Sequence, residues 1–461
     1  MQPLKIITSR LGPWSFYRGA LAIALPVMLQ QLIMSLVSLV DSFMVAGLGD
    51  VSMAAVNVTN HINFIFFVIV NTICQAGGIY IAQFNGAKDE SGMKSAYSFK
   101  LIFAFCLSIL YFMVCRIIPN DIIAIMTMDN AAQEEIVIVG SNYLRLMSWT
   151  YFPMAISMSI ATSFREIARP KIPLIISGAA TIISTIGNWI LIYGNLGAPR
   201  LGVTGAACST IIARCFEAAA FLTYAVYSNA PFFAGLKRLF IIKKKLIKEI
   251  FAKSGMIFAA EMSWIGSETL MIAMYNRRGG AEVVAGMAAG WTIANIFFLL
   301  FGGLWTVSSV LVGGALGGGM LDEARRRAGW IKWGGAAAGL IIAIPGALLV
   351  SALVPLVFSN LTAEARANCL GMVLVILAYL PLWCFLNVQF AISRAGGDTA
   401  MGMYTDVSVN VFLFAPGSVI LSMFTTLAPV PMFALLKLTD FVKLFVARHF
   451  LRKEKWVNNL T

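Results

Sequence analysis

Residues 21–46 read LAIALPVMLQQLIMSLVSLVDSFMVA and contain a single charged residue, Asp41. A run this long and apolar is typical of a membrane-spanning helix, which needs about 20 such residues. An ionised carboxylate near the middle of a bilayer costs about 2.5–3.5 kcal/mol on insertion scales. The stretch therefore predicts a transmembrane helix and a specific use for its one acidic side chain.

The composition extends this prediction to the whole chain. Of the 461 residues, 59% are hydrophobic and 12% are charged, whereas soluble domains carry about 25% charged residues. Such a composition predicts an all-α polytopic membrane protein with twelve transmembrane helices. The predicted spans lie near residues 19–46, 53–84, 95–118, 136–163, 172–194, 203–228, 254–276, 282–315, 329–358, 367–393, 401–424 and 429–451.

The net charge of +13 indicates the orientation of the chain. An even number of spans places both termini on one side, and most of the Lys and Arg residues fall in the segments of that side. They lie in 88–100, 165–171, 237–253, 325–332, Arg394 and the two termini. By the positive-inside rule this side is cytoplasmic, so we expect a multi-pass protein of a prokaryotic inner membrane that contacts lipid and binds no nucleic acid.

The sequence lacks the motifs of the common enzyme classes. We find no HExxH, no GxxxxGK[ST] and no Ser-His-Asp set, so catalysis and ATP hydrolysis are not expected. The seven cysteines include no CxxC pair, and the two histidines are far apart in the sequence. The chain is therefore expected to need no cofactor and to act as a secondary transporter, driven by an ion gradient.

Three sequence segments recur in the second half of the chain. GLGDVSMAAV (47–56) is echoed by RGGAEVVAGM (278–287), QFNGAKDESGMKSA (83–96) by ALGGGMLDEARRRA (315–328), and FREIARPKIP (164–173) more weakly by SRAGGDTAMG (393–402). The nearly constant offset predicts two six-helix bundles related by a pseudo-two-fold axis along the membrane normal. The expected division is an N-lobe over 1–228, a cytoplasmic basic linker over 229–253 and a C-lobe over 254–461. Within the linker, 237–253 is expected to be an interfacial helix or, alternatively, a solvated basic loop.

Asp41 belongs to only one of the two repeats, because its counterpart in the second half is Ile272. A carboxylate with a purely structural role would be expected at the equivalent position of both halves. The alternatives are a hydrogen-bonded structural acid and a proton or cation site, and the asymmetry favours the site. Pro26 lies fifteen residues earlier, and a bend there would couple protonation of Asp41 to the shape of the protein.

Several of these segments together resemble the multidrug and toxic compound extrusion (MATE) family. The resemblance is carried by ALPVMLQQLIMSLVSLVDSFMVAGLGDVSMAAV (24–56), QFNGAKD (83–89), GNWILIYGNLGAPRLGVTGAACSTIIARCFE (187–217) and SRAGGDT (393–399). It covers nearly the whole chain. It implies a V-shaped central cavity and the export of organic cations or drugs in exchange for H⁺ or Na⁺.

The resemblance also implies a site. The acid that the family carries on its first helix matches Asp41, and its polar cluster matches Ser184, Asn188 and Thr210. In a Na⁺-coupled member, Asp41, Asn188 and Thr210 would be the ligands. Members of the DinF-like branch commonly have Asp at position 188 and Asn at 184, and NorM-like members have acids near Trp264 and Trp383. Neither pattern is complete here, so the branch stays open.

Other polar and sulfur-containing residues within the predicted spans complete the set of candidates. Glu261 and Glu268 are seven residues apart, and hence on one helical face, where they would attract a cationic substrate. Four methionines share spans with the polar cluster and are expected to line the substrate cavity: Met28, Met34, Met154 and Met158. Local ion pairs are predicted between Arg214 and Glu217, and between Asp440 and either Lys437 or Lys443.

We therefore expect a monomeric, secondary active multidrug exporter that moves organic cations by alternating access. A single carboxylate at the site favours H⁺ over Na⁺ as the coupling ion. The alternative function is a flippase of the same superfamily for lipid-linked oligosaccharides or other lipids. Such flippases need basic cavity residues for pyrophosphate, whereas the candidate cavity charges here are acidic.

Overall fold

The protein is described by a computed structural model that covers residues 11–128 and 132–461. The helices are α1 Trp14–Ala46, α2 Asp50–Gly86, α3 Glu90–Ile117, α4 Pro119–Met126, α5 Gln133–Met147, α6 Tyr151–Glu166, α7 Lys171–Tyr193, α8 Val203–Tyr227, α9 Leu236–Leu239, α10 Lys244–Arg278, α11 Ala281–Ser308, α12 Gly314–Gly317, α13 Leu321–Val357, α14 Ala363–Ala395, α15 Ala400–Val409, α16 Ala415–Phe424, α17 Pro429–Lys437 and α18 Thr439–Arg452. Over these two ranges no β-strand is present.

Each predicted span coincides with helical structure. Among the described residues, nine helical stretches are long and apolar enough to cross a membrane. The remaining three predicted spans are helical too, but a 3₁₀ turn separates α5 from α6, Leu438 separates α17 from α18, and α10 carries charged residues along its length. The predicted all-α polytopic fold is therefore confirmed.

The helix ends follow from local chemistry. Asp89 caps α3 by accepting a hydrogen bond from the Gly92 N–H at 3.0 Å, and Thr362 caps α14 by accepting one from Ala365 at 3.2 Å. Both side chains satisfy backbone donors that a helix leaves open at its start. Gly194 ends α7 with a φ of +78°, in the left-handed region that glycine enters without steric cost.

Two helical stretches contain a wider π turn. Ser309–Gly313 joins α11 to α12, and Asn410–Phe414 joins α15 to α16. Such insertions disturb the regular hydrogen-bond ladder and are frequent at functional sites. With the π turn included, the stretch Ala281–Gly317 has 37 residues, the same length as α2. Both of its ends lie 231 residues after those of α2, which supports the sequence repeat.

The described residues form two compact units. The first comprises the residues through Met28, with 82–88 and 252–461, and the second comprises 29–81 and 89–251. α1, α2 and α10 each contribute to both units. The division into lobes at 1–228, 229–253 and 254–461 stays a prediction, because these units are groupings by compactness.

Each unit is built around its own apolar cores. In the first unit, buried residues of α11, α13 and α14 form the largest cluster, which also includes Ile23, Ala24 and Trp456. In the second unit, α2, α3, α5 and α6 share a cluster around Phe66 and Tyr151, whose ring centroids are 4.3 Å apart. These cores fix the positions of the polar side chains discussed below.

The basic segment after α8 differs from the prediction of a separate interfacial helix. Residues 236–239 form one short turn, and from Lys244 the chain continues without interruption through the seventh predicted span to Arg278. No glycine or proline lies between Lys244 and Lys253 to end the helix. The second half of the predicted linker is therefore the start of α10.

Two basic residues that we assigned to cytoplasmic loops are buried. Lys100 is 0% exposed within α3, and Arg394 is 7% exposed in the last turn of α14. We counted Lys100 with the basic segment 88–100, although it also falls within the predicted span 95–118. Arg394 becomes part of a helix because α14 extends to Ala395, beyond the predicted span 367–393. Because a buried charge is costly when it is unpaired, both side chains need partners inside the protein.

Candidate functional site

Three polar contacts tie the second half of α1 to its neighbours in the second unit. The Arg165 guanidinium donates to Gln30 Oε1 at 2.8 Å, and the Asn188 amide donates to Asp41 Oδ1 at 2.9 Å. The Tyr193 hydroxyl donates to the carbonyl oxygen of Met44, also at 2.9 Å. One of these contacts comes from α6 and two come from α7, so α1 is held along its length.

The contact between Asp41 and Asn188 is the only one of the three that involves a carboxylate. Asn188 is 3% exposed, and its Oδ1 has no hydrogen-bond partner among the described residues. A hydrogen bond to an ionised acceptor is stronger than one between neutral groups. The pair therefore combines a charged acceptor with an adjacent buried oxygen that is free to accept a proton donor or a cation.

Ser184 and Thr210 were predicted to surround Asp41 together with Asn188. Their described hydrogen bonds go elsewhere: the Thr210 hydroxyl donates to Ala206 O at 2.9 Å, and Ser184 O accepts from the Ser209 hydroxyl at 2.7 Å. A hydroxyl within a helix readily bonds to the carbonyl one turn earlier. The structure thus brings Asn188 to Asp41 and gives Ser184 and Thr210 no hydrogen bond to it.

A second buried polar group in this unit surrounds Lys100. Its Nζ donates to the hydroxyls of Thr162 and Ser163 at 2.7 and 2.9 Å. Both hydroxyls in turn donate to carbonyl oxygens of α6. Lys100 therefore ties α3 to α6 through neutral acceptors.

Glu268 in the first unit is paired rather than free. The Lys437 ammonium lies 2.5 Å from Glu268 Oε1, and both side chains are close to fully buried. The same ammonium faces the rings of Trp383, Phe414 and Phe433 at 4.9–5.7 Å. This arrangement combines an ion pair with cation–π contacts.

Lys443 forms the centre of a neighbouring network. Its ammonium lies 3.1 Å from Asp406 Oδ1 and 3.6 Å from Asp440 Oδ1, and Asp440 also accepts from the Trp383 indole N–H at 2.8 Å. The predicted pair of Asp440 with Lys443 is confirmed, whereas Lys437 turns to Glu268. The pair of Arg214 and Glu217 is confirmed as well, at 2.7 Å.

Glu261, the other predicted cavity acid, lies 3.5 Å from the Arg394 guanidinium. Arg394 also lies over the Trp305 ring, 4.2 Å from its centroid. We expected Glu261 and Glu268 to line the cavity and attract a cationic substrate. In this structure a basic side chain accompanies each of them, and their role in binding a substrate stays a prediction.

The predicted cavity methionines are partly buried against apolar clusters. Met28 packs on the core of the first unit, and Met154 and Met158 pack on the core of the second. Met34 lies on α1 at intermediate exposure. Their role in binding a substrate stays a prediction.

Within the described ranges, no three His, Cys, Asp or Glu side chains are close enough to hold a metal ion. A Na⁺ ion at Asp41 would have to take most of its ligands from amide, hydroxyl or carbonyl oxygens. The unpartnered Oδ1 of Asn188 is one such oxygen.

A family model described as MatE matches residues 26–190 and 257–420 of this chain. The chain belongs to the MatE family. The two matched segments start 231 residues apart, the offset found between the sequence repeats. Members of this family are transporters rather than enzymes.

Relatives of the MatE chain include two bacterial proteins. It is 25% identical over 290 residues to the uncharacterized transporter YisQ of Bacillus subtilis, covering 62% of each protein. It is 23% identical to the probable multidrug resistance protein NorM of Thermotoga maritima, covering 67% of this chain and 66% of NorM. The aligned part therefore spans less than two thirds of the length of these relatives.

The fold of the MatE chain matches solved structures over almost its full length. A structure described as MATE in complex with MaD3S has a TM-score of 0.85, at 16% identity, and covers 97% of this chain and 98% of that one. An identity this low shows a shared fold alone. The predicted membership of the MATE family and the all-helical architecture are both confirmed.

Sequence reasoning missed several residues of the MatE chain that hold this arrangement together. From the sequence we assigned no role to Gln30, and we counted Arg165 and Arg394 among the basic residues of the cytoplasmic segments. The sequence offered one signal for the two arginines. Burying a charge costs free energy, so a charged residue beside or within a predicted span needs a partner inside the protein. Which partner it has depends on how distant helices pack.

Proposed function

We propose that this protein is a secondary active exporter of organic cations or drugs, coupled to an inward flow of H⁺ through Asp41. The supporting observation is the hydrogen bond from Asn188 to Asp41, beside a buried amide oxygen without a partner. Other buried or partly buried acids pair with a basic side chain: Glu217, Glu261, Glu268, Asp406 and Asp440. Asp41 has a neutral partner, so its charge is available to the transport cycle.

Protonation of Asp41 would change how α1 is held. When the carboxylate is ionised, the amide of Asn188 donates a charge-assisted hydrogen bond that joins α1 to α7. Adding a proton removes the charge and weakens this tie, while the contacts at Gln30 and Met44 remain. Proton binding thereby shifts the balance between conformations in which the second half of α1 is tightly or loosely held.

The choice of H⁺ over Na⁺ rests on the ligands around Asp41. In the described part of the chain Asp41 is hydrogen-bonded to Asn188 and to no second acid, so a single carboxylate would have to balance the charge of a bound ion. A dehydrated Na⁺ ion needs several oxygen ligands to replace its water. A proton needs only the carboxylate and an acceptor such as Asn188 Oδ1.

The alternative of a flippase for lipid-linked oligosaccharides would draw support from free buried bases. The buried bases of the first unit, Arg394, Lys437 and Lys443, are each accompanied by an acid. In the second unit Lys100 pairs with the hydroxyls of Thr162 and Ser163 instead, but it is 0% exposed and so is not accessible to a pyrophosphate. Pyrophosphate recognition requires uncompensated positive charge. The exporter is therefore the better-supported function.

We also propose that the protein lies in the inner membrane of a prokaryote as a monomer, with both termini in the cytoplasm. The distribution of Lys and Arg between the predicted loops supports this orientation. The bacterial origin of the relatives is consistent with that membrane.

Efflux from proteoliposomes tests the function directly. We expect ethidium movement under an imposed pH gradient and little movement under an imposed Na⁺ gradient of the same size. Asp41→Asn should reconstitute to the same level as the parent and lose gradient-driven movement, because its amide cannot carry the proton. The matched control is Asp50→Asn, which changes an acid outside the contact network described for α1.

Each outcome decides one part of the proposal. Equal efflux by Asp41→Asn and the parent would return Asp41 to a structural role. Efflux driven only by a Na⁺ gradient would be consistent with Asp41 as the coupling site but would make Na⁺ the coupling ion. Movement of a lipid-linked oligosaccharide in place of ethidium would favour the flippase.

A further inference from the structure

The end of α2 and the α12 turn cross with their backbones in contact, inside the first unit. A Cβ at Gly86 would overlap the carbonyl oxygen of Gly314, and a Cβ at Gly317 would overlap that of Gln83. Gly86 and Gly317 are equivalent positions of the sequence repeat. The two repeats thus meet at matching glycines, on the side that we assign to the cytoplasm.

Gln83 lies at this crossing and is 0% exposed. Its Nε2 donates to Ala395 O at 2.7 Å and to Asn458 O at 3.3 Å, and its Oε1 accepts from the Leu460 N–H at 2.8 Å. Two of these partners belong to the 454–461 segment, which follows α18. One amide side chain therefore joins the end of α2 to a segment more than 370 residues later.

The 454–461 segment is held at several further points. Glu454 accepts three hydrogen bonds from Arg325, the shortest at 2.8 Å, and Trp456 is 7% exposed within the largest core of the first unit. Asn459 Nδ2 lies 3.5 Å from Gly317 O. Gly396 has no room for a Cβ, because the backbone of Trp456 lies against it.

We propose that the 454–461 segment is a latch that holds the crossing of α2 and α12 closed, with Gln83 as the positioning residue that receives it. The inference rests on the proposed alternating access, in which this side must open to admit substrate. Opening separates Gln83 from Leu460 and Asn458 and exposes the paired glycines. The latch stabilises the closed form relative to the open one, and so sets how often the crossing opens.

Thiol labelling of the crossing tests the latch. The reporter is Ala315→Cys, since Ala315 is 1% exposed. The cysteines that are not buried, Cys106, Cys208 and Cys215, are first replaced by serine. In lipid nanodiscs, we expect maleimide to label the reporter about two- to tenfold faster when Gln83→Ala is present, as expected for the loss of buried hydrogen bonds. A chain that ends at Lys453 should show at least the same increase.

The matched control is Gln389→Ala. Gln389 is about as buried as Gln83 but makes no described hydrogen bond to the 454–461 segment. This substitution should leave the labelling rate unchanged. If the shortened chain does not fold, Leu460→Pro is measured instead. It removes the backbone donor to Gln83 Oε1 while Gln83 stays in place, and it should give a smaller increase than Gln83→Ala. Transport adds a second measurement, in which the KM for cytoplasmic substrate should fall by a similar factor.

Equal labelling rates in the parent, Gln83→Ala and Leu460→Pro would overturn the latch, whatever the protein transports. The labelling needs neither substrate nor gradient, so an error in the proposed function would leave it unaffected. Faster labelling together with an unchanged KM would also count against the latch, since closure would then not limit entry of substrate.

Discussion

At the scale of single residues, the buried charges fall into two kinds. Glu268 pairs with Lys437, and Lys443 lies between two acids, Asp406 and Asp440. Asp41 instead accepts from a neutral amide. A buried ion pair is costly to break, because one unpaired charge remains, whereas a carboxylate beside an amide can change its charge and keep a partner. This difference supports our proposal that the first kind is structural and that Asp41 couples ion movement to transport.

The bond between Asp41 and Asn188 can be measured by a double-mutant cycle. We expect Asn188→Leu to lower the free energy of unfolding by about 1–3 kcal/mol, because it leaves the carboxylate without its donor. In the Asp41→Leu background the same change should cost much less. The coupling energy, from denaturation in detergent at neutral pH, should be about 1.5–3 kcal/mol. A coupling near zero would contradict the hydrogen bond.

The pair of Glu268 and Lys437 should behave as a structural unit. Lys437→Met alone is expected to destabilise the protein by about 3–5 kcal/mol, since it leaves Glu268 buried without a base. Adding Glu268→Met should recover most of the loss. Thermal unfolding of the single and double variants gives both values.

The control for this pair is Glu90→Gln on α3. Glu90 pairs with Lys94 at 2.9 Å, but its side chain is 64% exposed. Such pairs contribute about 0–1 kcal/mol. A loss as small in Lys437→Met as in Glu90→Gln would show that the buried pair is dispensable.

At the scale of helices, glycine decides where two backbones can meet. α2 ends at Gly86 and α12 ends at Gly317, and each glycine faces a carbonyl oxygen of the other helix. The two backbones approach each other more closely than a residue with a Cβ atom would allow at either glycine. The repeat in the sequence thus has a counterpart in packing, which neither segment reveals alone.

We expect Gly86→Ala to destabilise the protein by several kcal/mol or to abolish its accumulation, because the added methyl group overlaps backbone that cannot move easily. Gly266→Ala in α10 is the matched control, since a Cβ there meets nothing within 4 Å. It should be neutral or stabilise by about 0.5–1 kcal/mol, because alanine favours helix more than glycine does. Similar melting temperatures for the two variants would contradict the crossing.

At the scale of the whole molecule, orientation in the membrane follows from charge. Lys245 and Arg326 lie in segments that we assign to the cytoplasm, and their side chains are 89% and 65% exposed. Arg200 lies in a segment that we assign to the opposite side. This assignment orders the transport steps, since the latch and the basic segments then share one face.

Labelling of intact cells tests the orientation. Once Cys106, Cys208 and Cys215 are replaced by serine, an impermeant maleimide should react with Arg200→Cys and leave Lys245→Cys and Arg326→Cys unlabelled. Both of the latter should react after the cells are opened. Labelling of Lys245→Cys from outside would reverse the orientation and move the latch to the external face.

The sequence by itself determined the class of protein, the approximate positions of its long helical segments, the repeat and the family. These follow from local hydrophobicity, from spacing and from motifs, all of which lie within short segments of chain. It also pointed to Asp41, because a single acid in an apolar run is costly wherever it packs. Its neighbour Asn188 was reached through the resemblance to the MATE family.

Only the tertiary structure decided the partners. Lys437 could have joined Asp440 but joined Glu268. The Thr210 hydroxyl donates to the Ala206 carbonyl oxygen rather than to Asp41, and the hydrogen bond described at Ser184 is one that its carbonyl oxygen accepts from the Ser209 hydroxyl. Lys100 and Arg394 moved from predicted loops into the interior. Pairing between residues hundreds of positions apart depends on helix rotation and crossing, which the packing of whole faces sets and no local pattern encodes.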